Sequence, residues 1–228
     1  MSMYDYPIIR IAVLGEESVG KSCFVRQFVY RVYHEFYDMG IEDEYRKQYD
    51  VDDVTYRLDI LDPVGDCSEY DLSKFDAFFI LFSMYYPDSF HRIERYVNLI
   101  FESKKHLVAL NAQQSNDNSR GSSGSSSGST TNPNPTAVLR LEDIPIIIVG
   151  TMSDRQKTVP RMVTVADARR MARELNAKYM ECSSRGPHTV DECFTELVRQ
   201  LIAVRRQRTE KSTVASNNSN NRQHCLIS

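Results

Sequence analysis

The chain lacks a strong excess of either charge. Its 228 residues carry 28 Lys and Arg against 31 Asp and Glu, a formal net charge of -3. A global basic field of the kind that draws nucleic acid is therefore missing. Cysteine is sparse: five residues, Cys23, Cys67, Cys182, Cys193 and Cys225. Their number is odd and no pair stands at metal-ligand spacing, which argues against a disulfide framework or a cysteine zinc site. No secretory leader opens the sequence, so a reducing, cytosolic-side protein is expected. Long apolar runs are missing as well. The longest, AFFILFSMYY from Ala77 to Tyr86, covers about half a membrane span and reads as a buried strand. Neither the stretch 111–136 nor the tail from about Gln207 shows an internal repeat.

What remains is ordinary globular composition, 41% hydrophobic and 26% charged, in a chain long enough for one generous domain. Residues 7–14 form an apolar run broken by Arg10, as a central parallel strand would. SCFVRQFVYRV follows with Phe24, Val25, Phe28, Val29 and Val32 at helical spacing. Two alternating runs joined by Asp52-Asp53 predict a hairpin. DAFFILFS, DIPIIIVG and KYMEC predict further strands. PDSFHRIERYVNLIFES predicts one helix, with Pro87 in its first turn and Asp88 and Ser89 as caps. TVADARRMARELN, capped by Thr164, and TVDECFTELVRQLIAVRRQ, with Thr189 and Glu192 as a capping box, predict two more. Alternating strands and helices mean an α/β protein, with a six-stranded, mostly parallel sheet, one antiparallel edge strand and helices on both faces. Two stretches fall outside this pattern. Residues 111–136, almost all Ser, Gly, Asn, Thr and Pro, read as a disordered insertion. Residues 207–228 read as a flexible, basic C-terminal tail. From Arg199 onward five arginines and one lysine face a single acid, Glu210.

The first strand runs into GEESVGKS, Gly15 to Ser22, and a helix follows. Gly-x4-Gly-Lys-Ser in that context is a phosphate-binding loop of the P-loop NTPase type. Backbone amides of Gly15, Glu17, Ser18, Val19, Gly20 and Cys23, with the helix N-terminus, would cradle phosphates. Lys21 would reach the terminal phosphates and Ser22 would ligate Mg²⁺. At the end of the second hairpin strand, Asp62 could hold that ion through water, and Gly65 would leave an amide free for a third phosphate. Asp154, after IIIVGTMS, could accept two N–H bonds from a guanine edge, with Ser183 and Ser184 close behind another strand. Two carboxylates in the phosphate loop are unexpected. Glu16 is read as solvated surface. Glu17 would repel a terminal phosphate, by up to ~3 kcal/mol at ~6 Å and an effective dielectric of about 20.

In order and spacing these motifs resemble the Ras-type small GTPases, from about Pro7 to Arg206. YDMGIEDEYRKQ is similar to that family's first switch and effector strand, LDILDPVG to its second switch, and ECSSR to its last guanine-contacting loop. The resemblance implies a G domain over 5–206, interrupted by 111–136. It implies GTP and GDP with Mg²⁺ as ligands, and Tyr33 against the guanine ring. Tyr37, Ile41, Glu42, Asp43 and Tyr45 would face protein effectors, and an exchange factor or activating protein would be further partners. CLIS at the end is a prenylation box on Cys225. With the basic tail it implies a lipid anchor on the cytoplasmic face of the plasma membrane or an endomembrane.

The pattern is also broken at ligand-reading positions. Gly40 stands where the family has the switch threonine, Asp66 where it has the water-positioning glutamine, and Thr151-Met152 where it has Asn-Lys, so that Thr151, by position one of the nucleotide-binding residues, cannot supply the amide bonds. The second switch is about five residues short. Lys21 and, weakly equipped, Asp66 are the candidate catalytic groups. Slow hydrolysis is expected from a membrane-bound GTP-binding switch. Two alternatives stay open: a pseudo-GTPase scaffold holding one nucleotide or none, and a small-molecule P-loop kinase.

Overall fold

The computed structural model describes residues 6–33, 43–117, 139–157 and 159–223. Six strands form one sheet in the order β2-β3-β1-β4-β5-β6. They span Ile8–Gly15 (β1), Asp43–Val51 (β2), Val54–Asp62 (β3), Ala77–Ser83 (β4), Ile146–Thr151 (β5) and Lys178–Glu181 (β6). All neighbours run parallel except the β2–β3 hairpin, which makes β2 the antiparallel edge. Asp52 and Asp53 take φ of 50° and 64° at the hairpin turn. Two successive left-handed residues make the turn that matches strand twist, and aspartate tolerates that region.

The apolar runs are continuous because both faces of the central strands are covered. Ile9, Ile11 and Val13 of β1 and Phe79 and Leu81 of β4 face α1 (Lys21–Tyr30) and α5 (Pro187–Gln223). Ala12, Leu14, Phe78, Ile80 and Phe82 face α3 (Ile93–Asp117) and α4 (Val165–Glu174). Phe194 of α5 anchors the first face. Its ring stacks on Phe28 at 3.6 Å and meets Phe79 edge-on at 4.8 Å. AFFILFS is a fully buried strand, as its composition implied. Among the described residues no helix is long and apolar enough to cross a membrane.

Five details differ from the expectation. The helix after β4 is two helices, α2 (Pro87–His91) and α3, with Arg92 closing the first. Ser89 does not cap it; its hydroxyl donates to the Tyr86 carbonyl and accepts the Ser83 amide. α3 runs to Asp117, so the first part of the 111–136 stretch is helical. Ala112, Gln113 and Gln114 are good helix formers, and extending an anchored helix adds one bond per residue fixed. Likewise α5 continues to Gln223, through most of the tail expected to be flexible. Arg205 pairs with Asp76 at 2.9 Å and Arg208 donates to the Asp143 carbonyl at 2.9 Å, tying the extension to the body. α5 begins at Pro187, so Thr189 is not its cap; its hydroxyl accepts the Ser183 amide instead. Thr164 does cap α4, accepting the Asp167 amide at 3.1 Å.

Between β3 and β4 the chain makes two 3-10 turns, Cys67–Glu69 and Leu72–Lys74, and no α-helix. The adjoining sheet face carries Arg10, Arg46, Arg57 and Asp59, which suits a surface that no helix covers. The C-terminal ends of β1, β3, β5 and β6 lie along one edge of the sheet, where ligands of open α/β folds bind.

Candidate nucleotide site

Gly15 closes β1 with φ of 142°, and a Cβ there would sit 2.3 Å from the Leu81 carbonyl oxygen. Only glycine lets β1 and β4 pair this closely. Ser18 (φ 62°) and Gly20 (φ 94°) are both left-handed, and they bend the loop into the start of α1. Gly20 offers no side-chain cap, so the first amides of α1 keep their donor capacity for a ligand.

Lys21 Nζ folds back over this loop and donates to the carbonyls of Gly15 (2.8 Å) and Glu16 (3.0 Å). Burial pushes its ammonium below the ordinary lysine range, while Asp62, Glu17 and Glu16 pull it back up. Ser22 and Cys23 follow, both half-buried; burial raises the Cys23 thiol, which makes it a poor nucleophile. Val19 is buried, and its carbonyl accepts the Thr151 hydroxyl at 2.8 Å. Thr151, expected among the nucleotide-binding residues, is 2% exposed, and its hydroxyl ties β5 to the phosphate loop.

Asp62 ends β3 and is 4% exposed. Its Oδ1 is buried, and the carboxylate attracts Lys21. Among the described residues no group of three His, Cys, Asp or Glu could hold a metal unaided. Hydroxyl and carboxylate oxygens nonetheless suit Mg²⁺, which commonly takes one or two protein ligands and completes its shell with phosphate and water. Ser22 and Asp62 fit that role.

Past β5, Asp154 Oδ1 accepts the Ser183 hydroxyl at 2.6 Å, and its Oδ2 lies 3.5 Å from Arg185 Nε. Ser184 is half-buried in the same loop. The Arg185 guanidinium stands 5.2 Å from the Tyr33 ring centroid. Tyr33, Asp154, Ser183 and Arg185 are therefore drawn into one cluster. Arg185 was not singled out in the sequence, although it directly follows the two serines.

Gly65, exposed and left-handed at φ 74°, follows Asp62 as expected. Asp66 is committed elsewhere. Its carboxylate caps the first 3-10 turn by accepting the Ser68 amide at 3.1 Å, and it pairs with Arg95 of α3 at 3.2 Å. The Ser68 bonds chiefly, with Arg95 beside them, hold it below the usual carboxylate range. Two further expectations are corrected. Glu16 is not plain surface: its Oε1 accepts the Tyr96 hydroxyl at 2.9 Å. Tyr45 does not face outward. It is 4% exposed, against Tyr30, because alternation on β2 turns it toward α1. Asp43 opens β2 opposite Asp62 in register. Tyr37, Gly40, Ile41, Glu42 and Cys225 lie outside the described residues.

A parallel α/β sheet with a phosphate loop, a lysine over it and a carboxylate at the next strand end defines a P-loop nucleotide-binding protein. The sequence model of the Ras family matches residues 10–117 and 132–203. The chain is 30% identical to Protein ras-2 of Neurospora crassa over 206 residues, covering 88% of this chain and 82% of that one. It is 31% identical to Ras-like protein 1 of Pyricularia oryzae, over 89% and 77%. It is 29% identical to Ras-like protein RAS2 of Hydra vulgaris, over 84% and 83%. The chain belongs to the Ras family. It is thus a small GTPase in class, a kind of protein that binds guanine nucleotides and works with regulators and effectors.

Proposed function

We propose that this protein is a membrane-tethered, GTP-binding signalling switch that hydrolyses GTP slowly. The observation that carries the reading is Lys21, held over the phosphate loop by two carbonyls with the Asp62 carboxylate close enough to act on it. Lys21 would meet the terminal phosphates. Ser22 directly, and Asp62 through water, would hold Mg²⁺, which neutralises phosphate charge when bound. Asp154 would bind the guanine edge, Ser183 would orient that carboxylate, and Tyr33 would lie against the ring. Asp66 supports slow turnover: a carboxylate engaged by Ser68 and Arg95 is not placed to orient water. It is also acceptor-only when ionised. Glu17, exposed in the loop, adds like charge near a γ-phosphate.

The pseudo-GTPase scaffold is the second reading, and the same Asp66 engagement favours it. Nucleotide content of freshly purified protein separates the two: exchangeable GDP or GTP supports the switch, and no nucleotide supports the scaffold. Competition of ATP against GTP tests the kinase alternative. For the membrane, Cys225 would carry the lipid and basic residues of the tail would add ~1 kcal/mol each near an anionic leaflet. Cys225→Ser should move the protein from membrane to soluble fractions. Unchanged membrane association would mean a different anchor.

A further inference from the structure

The two carboxylates of the phosphate loop have different surroundings. Glu17 is exposed, whereas Glu16 is half-buried and accepts a 2.9 Å hydrogen bond from Tyr96. Tyr96 lies on α3, is 7% exposed, and belongs to the core between α3 and the sheet. The Glu16 main-chain carbonyl accepts Lys21 Nζ at 3.0 Å. One residue is thus strung between α3 and the cation of the site. The nearby cation on α3, Arg95, is paired with Asp66.

We propose that Tyr96 is a positioning residue that holds the Glu16 carboxylate away from Lys21, so that the ammonium stays free for phosphate. The proposal rests on the nucleotide-binding reading above and names a control built into that site. Without the Tyr96 donor, a half-buried carboxylate needs another partner, because an unpaired acceptor there is costly. Lys21 is the cation Glu16 already attracts. An ion pair inside the loop would neutralise the phosphate cation and leave negative charge where phosphate charge must gather. GTP, with one more phosphoryl group than GDP, would lose more. Burial and the bond to Glu16 both hold the Tyr96 hydroxyl in its protonated form, so it remains a donor throughout the neutral range.

The test uses the full chain with Tyr96→Phe, Glu16→Gln and the double variant. Fluorescent GTP and GDP are titrated in Mg²⁺ at low and high salt, with thermal melts alongside. One charge at about 8 Å and a dielectric of about 20 changes affinity by up to about thirtyfold. Partial solvent exposure reduces that. Tyr96→Phe is expected to weaken GTP about tenfold and GDP about threefold, with a smaller effect at high salt. Glu16→Gln alone should bind as well as the parent or better, and in its background Tyr96→Phe should cost nothing. That rescue is the decisive readout, since a tyrosine that merely packs would not be rescued by removing a charge. Unchanged GTP-to-GDP selectivity in Tyr96→Phe, or a loss that persists in the double variant, would overturn the proposal alone. A parent protein that binds neither nucleotide would overturn the nucleotide-binding reading and this proposal with it.

Discussion

Lys21→Ala removes the ammonium that the fold holds over the phosphate loop. Two effects follow, and they differ in size. Two hydrogen bonds to the Gly15 and Glu16 carbonyls disappear, at 2.8 and 3.0 Å. Hydrogen bonds to charged groups contribute about 1.5–3 kcal/mol each. Burial of the ammonium, which already depresses its pKa, offsets much of that. The expected stability loss is therefore within about 2 kcal/mol, small enough for the variant to fold. The ligand term is larger. A unit charge about 4 Å from a phosphate oxygen at a dielectric of about 20 contributes about 4 kcal/mol. The attraction of Asp62, Glu17 and Glu16 for the same ammonium competes with phosphate and lowers the net. GTP affinity is expected to fall about 30- to 1000-fold, corresponding to about 2–4 kcal/mol. The assay is equilibrium titration of fluorescent GTP, with circular dichroism to check folding. A folded variant with affinity within about threefold of the parent, less than 1 kcal/mol, would refute the assigned role of Lys21.

Other consequences can be measured directly. Thr151→Val keeps the buried shape but strips the Val19 carbonyl of its 2.8 Å donor, so urea unfolding should register a loss of about 1–3 kcal/mol. Recovery in Thr151→Ser would assign that loss to the hydroxyl, and failure to recover would not. Phe194→Ala opens a cavity among Phe24, Phe28 and Phe79 and should cost about 3–5 kcal/mol. A cost below 1 kcal/mol would contradict the packing described for α5. Burial and bonds to Glu181 and Glu16 raise the Tyr179 and Tyr96 hydroxyls above the ordinary tyrosine value. A raised folded-state value means stability is full below the unfolded tyrosine pKa of about 10 and declines as pH rises beyond it. Tyr179→Phe should flatten that alkaline decline, seen as a smaller Tm change above pH about 10; an unaltered slope would show that Tyr179 is not a source.

The sheet was legible because its strands are buried on both faces and so read as continuous apolar runs such as AFFILFS. The hairpin was legible because Asp52-Asp53 is turn chemistry with a strict consequence for φ. The phosphate loop was legible because glycine and lysine positions there are set by backbone geometry, as the 2.3 Å approach at Gly15 makes plain. The helical extensions over 111–117 and 207–223 were not. Polar helix formers have no apolar period, and their helicity depends on an anchored helix beside them. Tyr45 was misjudged because an edge strand alternates faces, and nothing in the sequence says which face a helix will cover. Two pairs across the site were out of reach for a different reason. Tyr96 meets Glu16 across 80 residues and Arg95 meets Asp66 across 29, and no local pattern encodes either meeting. Those pairs decide how two unexpected acids, Glu16 and Asp66, are used.

The most direct measurement is titration of purified protein with fluorescent GDP and GTP, with and without Mg²⁺, followed by single-turnover hydrolysis. Tight, Mg²⁺-dependent binding of both nucleotides with slow hydrolysis is the result predicted by Lys21, Ser22, Asp62 and Asp154 together with a committed Asp66. Binding of neither nucleotide, with or without Mg²⁺, would contradict the account and leave the phosphate loop a structural turn.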